Sequence, residues 1–193
     1  MTDTITQQMK DFFNKRTSQH ISRVQKYAKR IEEYDPVKFK GLVTQAKHHD
    51  DSKWEEPEYS PYLFITWEYK CKDDGTKFIV SDGMRERMSK ATEHHVKNPN
   101  NRHHPESGSR TKTDLINREN RDKPIKGRTI DAKHMNNVDI GELVADWLSM
   151  GEEKGTSTKK WADDNIGTRW DFSVEQENTI YDLIDSIKID KKG

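Results

Sequence analysis

Apolar residues recur every three or four positions along most of this chain, and that spacing commits it to helices. Between Thr2 and Tyr34, Ile21, Val24, Ala28 and Ile31 share one helical face. They predict a long first helix with a break near Arg16. Asp35-Pro36 restarts the chain, because aspartate caps helices well and proline is tolerated at the first helical position. A second helix is therefore expected from Pro36 to Asp50, with Phe39, Leu42, Val43 and Ala46 inside. Trp54 to Tyr62 is aromatic and interrupted by proline, which reads as a loop. Ile65, Trp67, Tyr69 and Cys71 then alternate with polar neighbours, and Asp74-Gly75 precedes Phe78-Ile79-Val80. That pattern predicts a small β-hairpin, with a helix over Pro61–Tyr69 as its competitor. Asp82 caps an expected third helix over Gly83–Lys97, with Met84, Met88 and Ala91 on one face. Residues 98–138 hold few apolar groups and predict an irregular, partly mobile excursion. A fourth helix follows from Asp139 to Glu152. A last one begins at Ser173, where Ser-x-x-Gln resembles a capping box, and runs to about residue 188. The expected fold is mostly α: a single helical domain over residues 1–193 with a small hairpin.

Only 30 % of the residues are apolar and 35 % are charged, so the core must be small for this length. Disorder throughout is still not expected, because Lys+Arg and Asp+Glu balance at 34 each and the aromatic residues need burial. The same balance speaks against a general nucleic-acid binder or a membrane-surface protein. The single cysteine, Cys71, excludes an internal disulfide and a cysteine-only metal site, and it suits a reducing cytosol. No apolar run has the length of a signal peptide or a membrane span. A cytoplasmic protein is expected.

The chain has eight histidines, and six come as pairs: His48-His49, His94-His95 and His103-His104. Histidine is the commonest metal ligand among side chains, so their placement decides their meaning. On the expected second helix, Phe39, Val43, Ala46 and Asp50 form one row, and Leu42, Ala46 and His49 form its neighbour. His20 lies beside the apolar face of the first helix. Met84, Met88, Ala91 and His95 form a row on the third, and Asp139, Leu143 and Asp146 a row on the fourth. Four helices thus aim an imidazole or a carboxylate inward, where an unpaired carboxylate is costly. A mixed set of this kind suits one or two divalent ions such as Mn²⁺, Fe²⁺, Co²⁺, Ni²⁺ or Zn²⁺. His48 and His134 read as hydrogen-bonded core residues, and Asp51 as solvent-facing.

A histidine on an early helix, an adjacent His49-Asp50 pair, and Asp146 on a late helix resemble the HD superfamily of metal-dependent phosphohydrolases. More closely, the chain resembles a family of small HD-like proteins of bacteria and phages. The pattern HD-x-S-K…E-x-x-PY is met by His49, Asp50, Ser52, Lys53, Glu58, Pro61 and Tyr62. The pattern HH…N-x-HHPE is met by His94-His95 and by Asn101 to Glu106, and V-A-D-W by Val144 to Trp147. The matches span about residues 20 to 165. Asn98-Pro99-Asn100 departs from the pattern as extra residues between the two histidine pairs, which leaves open which member of each pair is a ligand.

The resemblance implies an HD-type fold in which His20, His49, Asp50 and Asp146 hold one ion. His94 or His95 with His103 or His104 would hold a second, bridged by Asp50. It also implies a hydrolase for a nucleotide or another small phosphate mono- or diester, through a metal-activated hydroxide. Asp50, Lys53 and Glu58 are the expected catalytic residues, with Lys53 reaching the anionic substrate and Glu58 orienting Lys53 or a water. Arg102, Arg110, Arg118 and Arg121 suit phosphate recognition. Tyr59, Tyr62 and Trp67 suit the core better than base stacking, and Trp147 suits packing. Two other readings stand beside this one: a di-iron HD-type oxygenase, and a non-catalytic phage or regulatory binding protein stabilised by metal. Homo-oligomerisation is left open.

Overall fold

The computed structural model describes residues 3–111 and 129–190. Its spine is α1, Gln7–Tyr34, capped by the Thr6 side chain, which accepts from Met9 N–H. The helix runs through Arg16 unbroken, because Met9, Phe13, Thr17, His20, Val24, Ala28 and Ile31 make one continuous buried stripe. The two ends of that stripe serve different cores. Met9 and Phe13 pack with Leu63, Phe64, Met84 and Met88. Val24, Tyr27, Ala28 and Ile31 pack with Leu42, Ile140, Leu143, Leu148 and Ile180. Thr17 and His20 fall between them, so the junction of the two cores is polar.

The expected helix from Pro36 to Asp50 is much shorter. Turns occupy 36–41, Gly41 takes a left-handed φ of 96°, and α2 covers only Leu42–Gln45. A 3-10 helix over Ala46–His48 follows, and Asp50 adopts φ 63° before a second one over Asp51–Trp54. The expected hairpin is replaced by α3, Tyr59–Asp73, which includes the competing helix. Leu63, Phe64 and Ile65 are consecutive and all buried, which one face of a strand cannot achieve. Asp74-Gly75 ends this helix instead of turning a hairpin. Gly75 N–H donates to Lys72 O and Thr76 N–H to Cys71 O, the Schellman pattern, with Gly75 at φ 69°.

Helix α4, Asp82–Lys97, is capped by Ser81 rather than Asp82, since the Ser81 hydroxyl accepts from Met84 N–H. Residues 98–109 form successive turns in which Asn101, His103, His104, Glu106 and Ser107 are buried. Arg118 and Arg121 lie outside the described residues. Strand β1, Ile130–Asp131, pairs in parallel with β2, Trp170–Asp171. Between them, α5 spans Asn137–Lys154 and α6 spans Thr158–Asn165. A capping box joins Asn136 to Asp139 at the start of α5. Helix α7, Val174–Ser186, starts at the expected Ser173–Gln176 capping box. Trp147 packs as expected, stacked on Trp170 with centroids 5.5 Å apart. The result is mostly helical. Among the described residues, no helix is long and apolar enough to cross a membrane.

Candidate metal centre

The polar junction between the two cores is filled by histidines and acids. From α1, His20 enters one helical turn before Val24. From α5, Glu142, Asp146 and Ser149 share the opposing face, at spacings of four and three residues. His49 and Asp50 arrive from the irregular segment between the two 3-10 helices, not from a helix end. His95 comes from α4, and His103 and His104 from the buried turns.

These side chains form two groups that share Asp50. In the first, His20, His49 and Asp50 each offer a donor atom within 4.8 Å of the others. His20 Nε2 is 3.2 Å from His49 Nε2, 3.2 Å from Asp146 Oδ1 and 3.6 Å from Asp50 Oδ2. In the second, Asp50, His95, His103 and His104 meet the same limit. His95 Nε2 is 3.2 Å and His103 Nε2 is 3.9 Å from Asp50 Oδ1. The rings of His103 and His104 lie 4.1 Å apart. A third grouping, His49, His103 and Glu142, joins the first two.

The donor set fits a cation on two counts. Neighbouring ligands on bonds of about 2.0–2.2 Å stand roughly 3.0–3.4 Å apart, which is the spacing of His20 from His49 and of His20 from Asp146. In addition, His49 Nδ1 is 2.8 Å from Glu142 Oε1. That carboxylate holds the ring proton on Nδ1 and leaves the Nε2 lone pair facing His20. Asp50 Oδ1 is buried without an aligned hydrogen-bond donor among the described residues, although His95 Nε2 is near it. A cation answers both demands. The set of imidazoles and carboxylates suits borderline divalent metals.

The acids are charged in this setting. Burial alone would raise the Asp50 carboxyl, but Lys53, His49 and His95 outweigh it and hold it well below the usual range. Burial is likewise overcome at Asp146 by His20, and at Glu142 by His103 and His49, so both carboxyls are lowered. Asp146 keeps 19 % of its side chain exposed and Lys53 keeps 17 %, which places both at the mouth of an otherwise closed centre.

Not every expected residue takes its expected place. His94 is outside both groups: its side chain is 47 % exposed and its Nδ1 meets Glu58 Oε1 at 2.6 Å. The helical row through Met84, Met88 and Ala91 points His95 inward and turns His94 away. Glu58 does not touch Lys53. It is fully buried, and Oε2 lies 2.8 Å from His95 Nδ1 and accepts from the Ser52 hydroxyl, so it orients a histidine. Burial would raise its carboxyl, yet His95, His94 and Ser52 hold it below the ordinary value. Lys53 Nζ instead pairs with Asp50 Oδ2 and sits over the Tyr62 ring. Tyr59 packs on Phe13 and Trp67 on Phe12. Arg102 is exposed and pairs with Asp139. His48 and His134 are both exposed and neither is a core residue: His48 pairs with the exposed Asp51, and His134 Nε2 meets Ser107 O at 2.5 Å.

Glu142 and Ser149 were not legible as site residues. Ser149 Oγ lies 3.1 Å from His20 Nδ1, as Glu142 does from His49 at 2.8 Å. The available signal was a glutamate four residues before Asp146, set among Ile140, Leu143 and Val144.

Fold and site together define a mostly helical protein with a buried histidine–carboxylate cluster able to hold a metal ion. The chain belongs to DUF5662, a family of unknown function, whose model matches residues 9–186. No curated protein and no solved structure matches it.

Proposed function

We propose that this protein is an HD-type metal-dependent phosphohydrolase, acting in the cytoplasm on a nucleotide or another small phosphate mono- or diester. The observation that carries the proposal is Asp50, a buried carboxylate shared between two donor groups, each completed by histidines. His20, His49, Asp50 and Asp146 would hold one divalent ion, and Asp50, His95, His103 and His104 a second. Such ions polarise a phosphate oxygen and lower the pKa of a bound water. The remaining work falls to the protein. Lys53 sets an ammonium at the mouth, where it can bind a phosphate oxygen and offset its charge. Glu58 fixes the His95 ring, and Ser149 fixes His20. Burial of the donors keeps bulk water from competing for them.

The test is a panel of nucleoside phosphates and phosphodiesters with protein loaded with Mn²⁺ or Co²⁺. Hydrolysis that disappears in Asp50→Asn supports the reading. No turnover of any phosphate compound by fully loaded protein overturns it. The second donor group, three imidazoles to one carboxylate, favours a di-iron oxygenase as the other reading. A mixed-valent EPR signal with substrate-dependent O₂ uptake would select that chemistry instead.

A further inference from the structure

We infer that Glu142 is a positioning residue common to both donor groups, so that one buried carboxylate sets the affinity of each for its cation. This rests on the two-cation reading of the centre given above. Glu142 projects from α5 and is 2 % exposed. Its Oε1 lies 2.8 Å from His49 Nδ1 and 3.5 Å from His103 Nδ1. His49 belongs to the group with His20, and His103 to the group with His95 and His104. The His49 and His103 rings are 4.1 Å apart, so the carboxylate hydrogen-bonds His49 and faces the buried Nδ1 of His103, in each case from the side opposite the donors. That Nδ1 has no aligned hydrogen-bond partner among the described residues, and Glu142 is the nearby anion.

The carboxylate is itself anchored. Gln45 Nε2 donates to Glu142 Oε2 at 2.8 Å and to Asp139 Oδ1 at 3.1 Å. A carboxylate behind a ligating imidazole fixes the ring and strengthens its donor nitrogen. Losing one typically costs 10–100-fold in metal affinity. Ser149 and Glu58 each serve a single group. Ser149 touches His20, and Glu58 touches His95 with His94 outside the centre. Their loss should therefore weaken one cation, whereas loss of the Glu142 charge should weaken both.

The experiment is a calorimetric titration of the metal-stripped full chain with Co²⁺, followed also by the visible spectrum of the bound ion. Wild type is expected to show two binding steps. Glu142→Gln, of the same shape but uncharged, should weaken both steps by about 10–100-fold. Ser149→Ala and Glu58→Gln should each weaken one. Gln45→Ala leaves Glu142 in place without its anchor and should weaken both steps less, which keeps the test alive should Glu142→Gln not fold. A folded Glu142→Gln that titrates like wild type, or loses one step alone, overturns the inference. So does an unchanged Gln45→Ala when Glu142→Gln is unfolded. Wild type that binds fewer than two cations overturns the two-cation reading beneath it, which separates that failure from this one.

Discussion

His49 Nδ1 lies 2.8 Å from Glu142 Oε1, although 93 residues separate the two in the chain. The contact locks α5 to the segment after α2 and turns the other nitrogen of His49 toward His20. Donors that face one another are held in place by the packing of the two cores and by outer partners such as Glu142, Ser149 and Glu58. A bound cation should therefore add to the stability of the whole domain. At a free concentration 100 times its Kd, it contributes about 2.7 kcal/mol. For a chain of this size that corresponds to a Tm higher by roughly 5–11 °C. Differential scanning fluorimetry before and after chelation checks it. An unchanged Tm, with loss of metal verified by elemental analysis, would contradict the expectation.

Asp50 carries a second constraint in its backbone. Its φ of 63° is the left-handed conformation, which asparagine tolerates and alanine resists. Asp50→Asn should keep a Tm near that of the metal-free wild type, while Asp50→Ala should lose about 1–2 kcal/mol more. Both should bind cation poorly. Equal melting temperatures for the two variants would show that this left-handed turn is no easier for asparagine than for alanine.

That same turn explains how much of the site could be read from the sequence. Helical rows placed His49 and Asp50 inside, and they are inside, but no helix carries them there. The apolar row from Phe39 to Ala46 extends in the sequence across Gly41 and past Gln45, but there the chain tightens into 3-10 turns. The turns are closed by His49 N–H donating to Ala46 O and Lys53 N–H to Asp50 O, and both His49 and Asp50 remain buried. His20, His95 and Asp146 were legible because their helices are long enough for periodicity to hold. The choice between hairpin and helix at 59–80 failed for a different reason. Alternation over four pairs fits either, and Asp-Gly serves a hairpin turn and a helix end alike. Glu142 was hidden because its partners, His49 and His103, come from distant segments.

Lys53 reaches Asp50 from the rim of the centre and is not itself a member of either histidine group. Its replacement should spare metal binding and harm the substrate. Lys53→Met is expected to bind cation with wild-type stoichiometry and to raise KM for a phosphate ester at least tenfold, the pattern of lost uniform binding. Steady-state kinetics beside a metal titration separates the two effects. A variant that loses the metal together with activity would place Lys53 in the cation's support, not the substrate's.

Away from the centre, Glu152 ties α5 to α1. Its Oε2 accepts from Tyr27 OH at 2.5 Å and from Lys26 Nζ at 2.6 Å. Burial alone would raise the Glu152 carboxyl, but Lys26 and Tyr27 outweigh it and hold it below the ordinary 4.5. A carboxyl depressed in the folded state stabilises above its unfolded pKa, and that contribution is lost as pH falls through the folded value. Glu152→Gln should therefore cost about 1–2 kcal/mol at pH 7. Wild type and variant should converge once the pH is low enough to protonate Glu152 in the folded protein. Urea unfolding of both chains, metal-free, at pH 7 and at successively lower pH tests the sign as well as the size. A gap that widens as the pH falls would mean that the carboxyl is raised by its surroundings, and that burial outweighs Lys26 and Tyr27 after all.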